Sequence, residues 1–145
     1  MKRIVLAMIV MCCGAVDAED YLSISGLSYH TQRHQDNGRD WNEVNSGLGL
    51  ERDLTDSWTL TGGLYRNSLA KTTAFIGGRW EPIRLGSAKL GAMAAAASGY
   101  PSPVVGALTA SVMFSNRIGV IVLGGPLAHN SGEVVGIYAR VRLGN

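Results

Sequence analysis

The C-terminal stretch from Val104 to Leu143 alternates apolar residues with small or polar ones, in short segments that turn residues separate. This period of two predicts β-strands whose two faces meet different surroundings. In the last segment one phase is apolar and the other carries two arginines: Val135, Ile137, Ala139, Val141 and Leu143 against Gly136, Tyr138, Arg140 and Arg142. A barrel with lipid outside and a polar lumen inside produces this pattern. A soluble sandwich, with its polar phase in bulk water, is the alternative.

Eight such segments fit between residues 22 and 143. We expect strands at Leu22–Gln32, Asn42–Arg52, Trp58–Asn67, Thr72–Glu81, Ala88–Gly99, Val104–Phe114, Ile118–Leu123 and Val134–Leu143. Turn residues separate several of them, at 53–56, 82–86, 115–116 and 124–132. The even number and a length of about 9–11 residues per strand suit a bacterial barrel. The predicted fold is all-β, an eight-stranded antiparallel transmembrane β-barrel of the bacterial outer membrane.

One segment also has the composition of a helix. Leu90 to Ala97 contains five alanines, and alanine is the strongest helix former. The length of the segment and its neighbours favour a strand, in which Leu90, Ala92, Ala94 and Ala96 face outward.

The N-terminus has the order of a secretory signal peptide. Lys2 and Arg3 precede the apolar run Ile4–Cys13, and Val16–Ala18 provides small residues for cleavage. We therefore expect a signal peptide at 1–18 and a single barrel domain at 19–145. A membrane anchor is the alternative, but the run is shorter than the roughly 20 residues that a spanning helix needs. Both cysteines lie in the segment removed, so the mature chain would hold neither a disulfide nor a cysteine-bound metal.

Strand direction brings a histidine and a serine to one end of the predicted barrel. If the N-terminus starts in the periplasm, strands one and three run outward, so that His30, Asn67 and Ser68 meet at the outer rim. Trp58 and Trp80 fall near the opposite rim on the outward phase, where an interfacial aromatic girdle belongs. The histidine and serine suggest acyl transfer, with the imidazole as the base. A rim histidine without a chemical role is the plainer alternative.

Many inward-facing positions hold small residues. They are Gly47, Gly49, Gly63, Gly77, Gly91, Ala95, Ala97 and Ala107. An eight-stranded barrel has room for packed side chains or one small ligand. The upper lumen is therefore either a slot for a hydrocarbon chain or a space filled by Tyr65, Met93, Met113 and Tyr138. Lower down we expect a charged network of Glu51, Arg79, Glu81, Lys89 and Arg142, because unpaired buried charge is costly.

Three stretches resemble the outer-membrane lipid A palmitoyltransferases, eight-stranded barrels that move an acyl chain from a phospholipid to lipid A. The first is 27–33, Leu-Ser-Tyr-His-Thr-Gln-Arg, which is similar to the family segment with the essential histidine. The second is 41–52, which resembles the second strand, and the third is 65–68 with Lys71, which resembles the family's aromatic-basic-Asp-Ser motif. Further matches at 100–104, 125–126 and 130–132 extend the likeness over most of the mature chain.

The resemblance implies catalytic roles for His30 and Ser68, with Asn67 standing where the family has aspartate. An amide can orient an imidazole but cannot offset its charge, so either Asp40 or Glu43 supplies the carboxylate or activity is weak or lost. Arg79 corresponds to the glycine that floors the family's acyl pocket, which would shorten or close the slot. The family's amphipathic N-terminal helix is missing. Pro101, Pro103 and Pro126 retain one proline-weakened lateral gate, whereas the gate beside strand one has no proline.

These observations predict a phospholipid:lipid A acyltransferase with His30 as base, Ser68 as nucleophile or acyl-positioning group and Asn67 as orienter. We expect no metal or soluble cofactor, a monomer in the outer membrane, and phospholipid and lipid A as partners. A formal charge of +2 without a basic block gives nucleic-acid binding little support. The alternatives are a non-catalytic structural barrel and, from 129–131, His-Asn-Ser, a lipid A deacylase.

Overall fold

The computed structural model describes residues 18–32, 34–35, 37–126 and 133–144. Its strands are β1 Glu19–His30, β2 Val44–Asp53, β3 Trp58–Arg66, β4 Thr72–Leu85, β5 Ala88–Ala97, β6 Val104–Met113, β7 Ile118–Pro126 and β8 Glu133–Leu143. Each strand pairs antiparallel with the next, and β1 pairs with β8, which closes the barrel. The predicted all-β, eight-stranded antiparallel barrel is confirmed. Over the described ranges, no helix is long and apolar enough to cross a membrane.

The two faces of the strands separate as the alternation predicts. In β8, Val135 and Ile137 are exposed on the outside, whereas Arg140 is buried inside. The alanine-rich segment forms β5, with Ala92, Ala94 and Ala96 exposed and Ala95 and Ala97 buried, and so it is a strand rather than a helix. Because most backbone hydrogen bonds of the strands are made to neighbouring strands of the closed ring, the outer surface can be largely apolar.

A bulge in β1 determines which side chains enter the lumen near its end. The register of β1 shifts between Ser25 and Leu27, so that Leu27 and Tyr29 point outward while Ser28 and His30 face inward. Gly26 allows the close approach there, because a Cβ at this position would lie 2.7 Å from the carbonyl oxygen of Ile137. Without this bulge, strict alternation would turn His30 outward.

A second bulge makes the predicted turn at 82–86 wrong. The register of β4 shifts between Trp80 and Ile83, and the strand continues to Leu85 before a turn at Gly86, whose φ is 62°. The bulged backbone packs against β5, where a Cβ on Gly91 would lie 1.8 Å from the carbonyl oxygen of Trp80. A proline is tolerated at a bulge, since the ladder is already interrupted there.

The two ends of the barrel differ in their connections. The histidine end, where β1 finishes at His30, carries the connections after β1, β3, β5 and β7; the turn end carries the short turns after β2, β4 and β6. β7 runs to Pro126 rather than ending at Leu123 as predicted. The predicted signal peptide, except Ala18, and the candidate deacylase residues 129–131 lie outside the described residues.

Two seams of the barrel differ in pairing at the histidine end. The β1–β8 ladder continues to His30↔Val134, and Thr31 extends it by hydrogen bonds with Glu133. The β6–β7 ladder, by contrast, stops at Leu108↔Gly124, so that in β6 residues 104–107 lack ladder partners in β7. The sheet is therefore less tightly joined at the β6–β7 seam, next to the prolines at 101, 103 and 126.

A charged network centred on Arg79 crosses the lumen on the side of the turn end, and beyond it a polar cavity of about 490 Å³ opens toward the turns. This guanidinium is fully buried, and it donates to both oxygens of Glu51 at 3.0 and 3.1 Å and to Glu81 at 3.0 Å. It also donates to the hydroxyl of Tyr138, which in turn donates to Glu51 at 2.6 Å. Ser111 donates to Glu81 at 3.0 Å. Charges this deeply buried are tolerated because each has partners of opposite sign.

Arg140 joins this network from β8. Its Nη2 donates to Asp53 at 2.6 Å, its Nη1 lies 3.5 Å from Glu51, and its guanidinium carbon lies 3.4 Å from the centre of the Tyr21 ring. Two predicted members have other partners: Lys89 donates to the carbonyl oxygen of Asp56, and Arg142 pairs with Glu19 at 2.7 Å. The predicted charged network is thus confirmed for Glu51, Arg79 and Glu81, whereas Lys89 and Arg142 line the same end of the lumen without joining it.

Candidate active site

A cavity of about 190 Å³ occupies the lumen between the charged network and the histidine end. Its wall is mostly apolar and includes Met93, Ala95, Ala97, Val105, Ala107 and Leu123. Ser28 and Ser68 line it toward the histidine end, and Tyr138 lines it beside the network. Both interpretations of the small inward-facing residues hold in part, because Tyr65, Met93 and Tyr138 narrow the lumen without filling it. The prediction that Met113 fills this space is wrong, since Met113 lines the cavity at the turn end.

His30 is buried at the mouth of the barrel and stacks on an indole. The side chain is 3% exposed, and its ring lies 4.6 Å from that of Trp41 with an angle of 5° between the planes. Neither Nδ1 nor Nε2 forms a hydrogen bond with any group in the described part of the chain. The imidazole is thus held by packing, and both nitrogens are left for another molecule.

Asn67 holds a turn together instead of orienting the histidine. Its Oδ1 accepts from the amides of Leu69 and Lys71 at 3.0 and 2.9 Å, and its Nδ2 donates to Thr73 Oγ1 at 2.9 Å and to the carbonyl oxygen of Gly99 at 3.3 Å. These four bonds use the full capacity of the amide's two donors and engage its acceptor twice. The amide therefore makes no hydrogen bond to His30, and the predicted role of Asn67 as orienter has no support in this geometry.

The turn that Asn67 holds presents Ser68 to the cavity. Ala70 in this turn has a φ of 58°, a left-handed conformation that non-glycine residues rarely adopt. The carbonyl oxygen of Ser68 accepts from the amide of Asn42 at 2.9 Å, which joins Ser68 to the segment carrying Trp41. The structure thus brings Ser68 and His30 to the same end of the barrel, as predicted, but no hydrogen bond links the two side chains.

The two carboxylates considered as partners for His30 occupy different places. Asp40 lies 2.7 Å from Nδ1 of His34, so its carboxylate is engaged within the loop. Burial lowers the pKa of His30, and the negative charge of Glu43 opposes this shift in part. The carbonyl oxygen of Glu43 accepts from the amide of Ser28 at 2.8 Å, two residues before the histidine on β1. Of these two carboxylates, Glu43 is the one placed to interact with the imidazole.

Tyr65 and Tyr100 close the wall of the cavity opposite β1. Their hydroxyl oxygens lie 2.8 Å apart, and the Tyr65 ring meets Phe75 edge to face at 5.6 Å. Burial raises the pKa of Tyr100, so its phenol is protonated at neutral pH. The pair is thus a neutral part of the cavity wall. Sequence reasoning gave Tyr100 no role, because a hydrogen bond across 35 positions has no local pattern.

Ser28 and Trp41 were also missed as site residues. Both were noticed only as parts of stretches similar to a family, and their places depend on the β1 bulge and on the path of the loop before β2. Across the described residues, no group of three or more His, Cys, Asp or Glu side chains is arranged to hold a metal ion. In comparisons with known proteins, no protein-family model matches the chain and no curated protein is significantly similar to it.

Proposed function

We propose that this chain is an acyltransferase of the bacterial outer membrane, which moves a fatty acyl chain from a phospholipid to lipid A. The observation that carries the proposal is an apolar cavity inside a closed barrel, with Ser68 on its wall and His30 buried at the same end. A proton-transfer role requires one ring nitrogen that is free to take the proton, and neither nitrogen of His30 is engaged by a described group. The resemblance of 27–33 and 65–68 to lipid A palmitoyltransferases agrees with this assignment.

The outer surface supports a place in a membrane. Large apolar side chains are exposed on strands all around the ring, among them Ile24, Leu48, Leu64, Ile76, Leu108, Val122 and Ile137. A soluble protein rarely exposes so continuous an apolar surface. Trp58 and Trp80 are exposed near the turn end with ring centres 6.0 Å apart, as expected for an interfacial pair. In the proposed topology the histidine end faces the outside of the cell, and the signal peptide at 1–18 directs export of the chain.

The proposed reaction is direct transfer between two lipids. His30 takes the proton from a hydroxyl of lipid A as the oxygen of that hydroxyl attacks the ester carbonyl carbon of the phospholipid. The ester C–O bond then breaks, and the proton on His30 passes to the departing oxygen, which leaves lysophospholipid. Glu43 stabilises the charged imidazole, and Ser68 positions the ester. Lipids reach the cavity through the less tightly joined β6–β7 seam.

The size of the cavity indicates a short acyl pocket. A cavity of about 150 Å³ can hold benzene, so one of about 190 Å³ accommodates roughly eight carbons. Tyr138 and the charged network behind it prevent a longer chain from going deeper. We therefore propose a transferred chain shorter than palmitate.

The deciding experiment is mass spectrometry of lipid A from cells that express the chain. The expected result is one added acyl group with the wild-type protein and none with His30→Ala or Ser68→Ala. The control is Ser46→Ala, an exposed serine on β2, which should acylate normally. All four proteins should show the same heat-modifiable gel shift in the outer-membrane fraction. Unmodified lipid A with a correctly folded, membrane-inserted wild-type protein would overturn the proposal.

A structural barrel without activity is the second candidate. It is favoured by the absence of hydrogen bonds from His30 to Ser68 or Asn67 in the described structure. The two candidates differ in their dependence on His30, since a structural role would survive His30→Ala. Normal envelope integrity with this variant, together with unmodified lipid A in the wild type, would favour the structural role.

A further inference from the structure

The histidine end contains several unpartnered buried polar atoms. Besides the two nitrogens of His30, Ser28 Oγ and Trp41 Nε1 are buried and form no hydrogen bond with any group that the structure describes. Native proteins leave few buried polar groups unpaired, since each costs about 1–3 kcal/mol. Four such atoms on three neighbouring side chains therefore point to a bound ligand that supplies their partners.

One of the three side chains lines the cavity, and strand β1 and the ring stack place the other two relative to it. Ser28 lines the cavity wall two residues before His30, on the same inward face of β1. Trp41 stacks flat on the imidazole, which fixes its indole at the mouth. A ligand whose tail fills the apolar cavity would thus place its first polar group beside Ser28, His30 and Trp41.

The hydrogen-bonding capacity of the Ser28 hydroxyl and the Trp41 indole determines which kind of ligand atom can bind them. An indole N–H can only donate, and a serine hydroxyl donates as well as accepts. Their common partner is an acceptor oxygen with an alkyl chain attached, which describes the carbonyl oxygen of a fatty acyl ester. When the acceptor hydroxyl attacks, this oxygen gains negative charge, and fixed donors aimed at it stabilise the transition state.

We propose that Ser28 and Trp41 are the hydrogen-bond donors that hold the ester carbonyl oxygen during acyl transfer. The proposal rests on the proposed function and assigns two residues to that same site. Ser28 donates from the cavity wall and Trp41 from the mouth, while His30 between them handles the proton. The stack with Trp41 also keeps the imidazole in place without a hydrogen bond.

The test is steady-state transfer from phosphatidylethanolamine to lipid A in mixed micelles, with the full mature chain. Ser28→Ala and Trp41→Phe should each lower kcat roughly 10²-fold with little change in KM, since the lost bonds are strongest in the transition state. Ser28→Thr keeps the hydroxyl and should restore most of the rate. Trp41→Phe keeps a ring on His30 and removes only the N–H. The matched controls are Ser46→Ala and Trp58→Phe, on the outer face of the barrel.

A binding measurement separates failure of this inference from failure of the proposed function. In a Trp58→Phe/Trp80→Phe background, lysophosphatidylcholine should shift the fluorescence of Trp41, and Ser28→Ala should weaken its binding. An inactive wild type that shows this shift would refute transfer yet support the lipid site. Unchanged kcat in both variants, or an unchanged Trp41 spectrum at saturating lipid, would overturn the inference.

Discussion

The two halves of the barrel lumen differ in the chemistry of their walls. Toward the turn end, Arg79 joins Glu51, Glu81 and Tyr138 in a charged network, and a polar cavity of about 490 Å³ lies between this network and the turns. Toward the histidine end, the wall is apolar, a cavity remains, and His30 and its neighbours lack partners. The half at the turn end thus depends on paired buried charges, and the half at the histidine end on apolar side chains.

The largest effect on the free energy of unfolding should come from replacing Arg79, the centre of the charged network. Arg79→Met leaves the Glu51 and Glu81 carboxylates buried without their guanidinium, which should lower the free energy of unfolding by about 3–5 kcal/mol. Urea unfolding in lipid vesicles measures it. The triple variant that adds Glu51→Gln and Glu81→Gln should regain much of the loss. If Arg79→Met alone were as stable as wild type, the charged network would contribute nothing to the stability of the barrel.

A matched pair on β6 tests the comparison directly, because Ala107 and Ser111 both face the lumen. Ser111→Leu should cost about 1–3 kcal/mol, since it removes a hydrogen bond from the buried Glu81 carboxylate. Ala107→Leu extends into the cavity and should change stability less, while reducing acyl transfer. Unfolding and transferase assays on both variants check the pair. Equal destabilisation would show that the cavity end is packed as tightly as the network end.

Asn67→Asp introduces the residue that lipid A palmitoyltransferases have at the similar position. It tests whether Asn67 affects catalysis or only the stability of the turn. The carboxylate cannot donate to the carbonyl oxygen of Gly99, so we expect about 1–2 kcal/mol of destabilisation and no gain in transfer rate. Thermal unfolding and the lipid A assay measure the two effects. A marked rise in activity would instead mean that position 67 reaches His30 during the reaction.

The smallest effect on the free energy of unfolding should come from an exposed ion pair that, like Arg79 and its partners, joins an arginine to a carboxylate. Arg84, also on β4, lies 3.2 Å from Asp56, but the two side chains are 53% and 89% exposed. Arg84→Ala should change the free energy of unfolding by less than about 0.5 kcal/mol. The same urea titration compares it with Arg79→Met, and similar losses would show that burial does not set the value of these pairs.

The alternation of side chains was enough to predict the fold, because period two and its turns are local properties. It placed all eight strands, the inward phase of β5 and the outward Trp58 and Trp80. It missed the bulges in β1 and β4, since a bulge depends on the register of neighbouring strands. The turn expected at 82–86 was wrong for this reason.

The contacts within the candidate site were harder to predict from the sequence than the fold was. Strand direction correctly brought His30 and Ser68 to one end. The stack of His30 on Trp41 and the four hydrogen bonds of Asn67 depend on loop paths that no residue pattern encodes. The resemblance assigned Asn67 to catalysis by position, whereas its contacts assign it to the turn.

The pairing of β1 with β8 has a consequence for how the molecule assembles. Thr31 and Glu133 meet across 102 positions, so the ring closes only after nearly the whole chain is present. Contacts this distant in sequence make folding slow, and the edges of both strands stay open until the last step. A nascent chain would therefore need protection from aggregation until its final residues arrive.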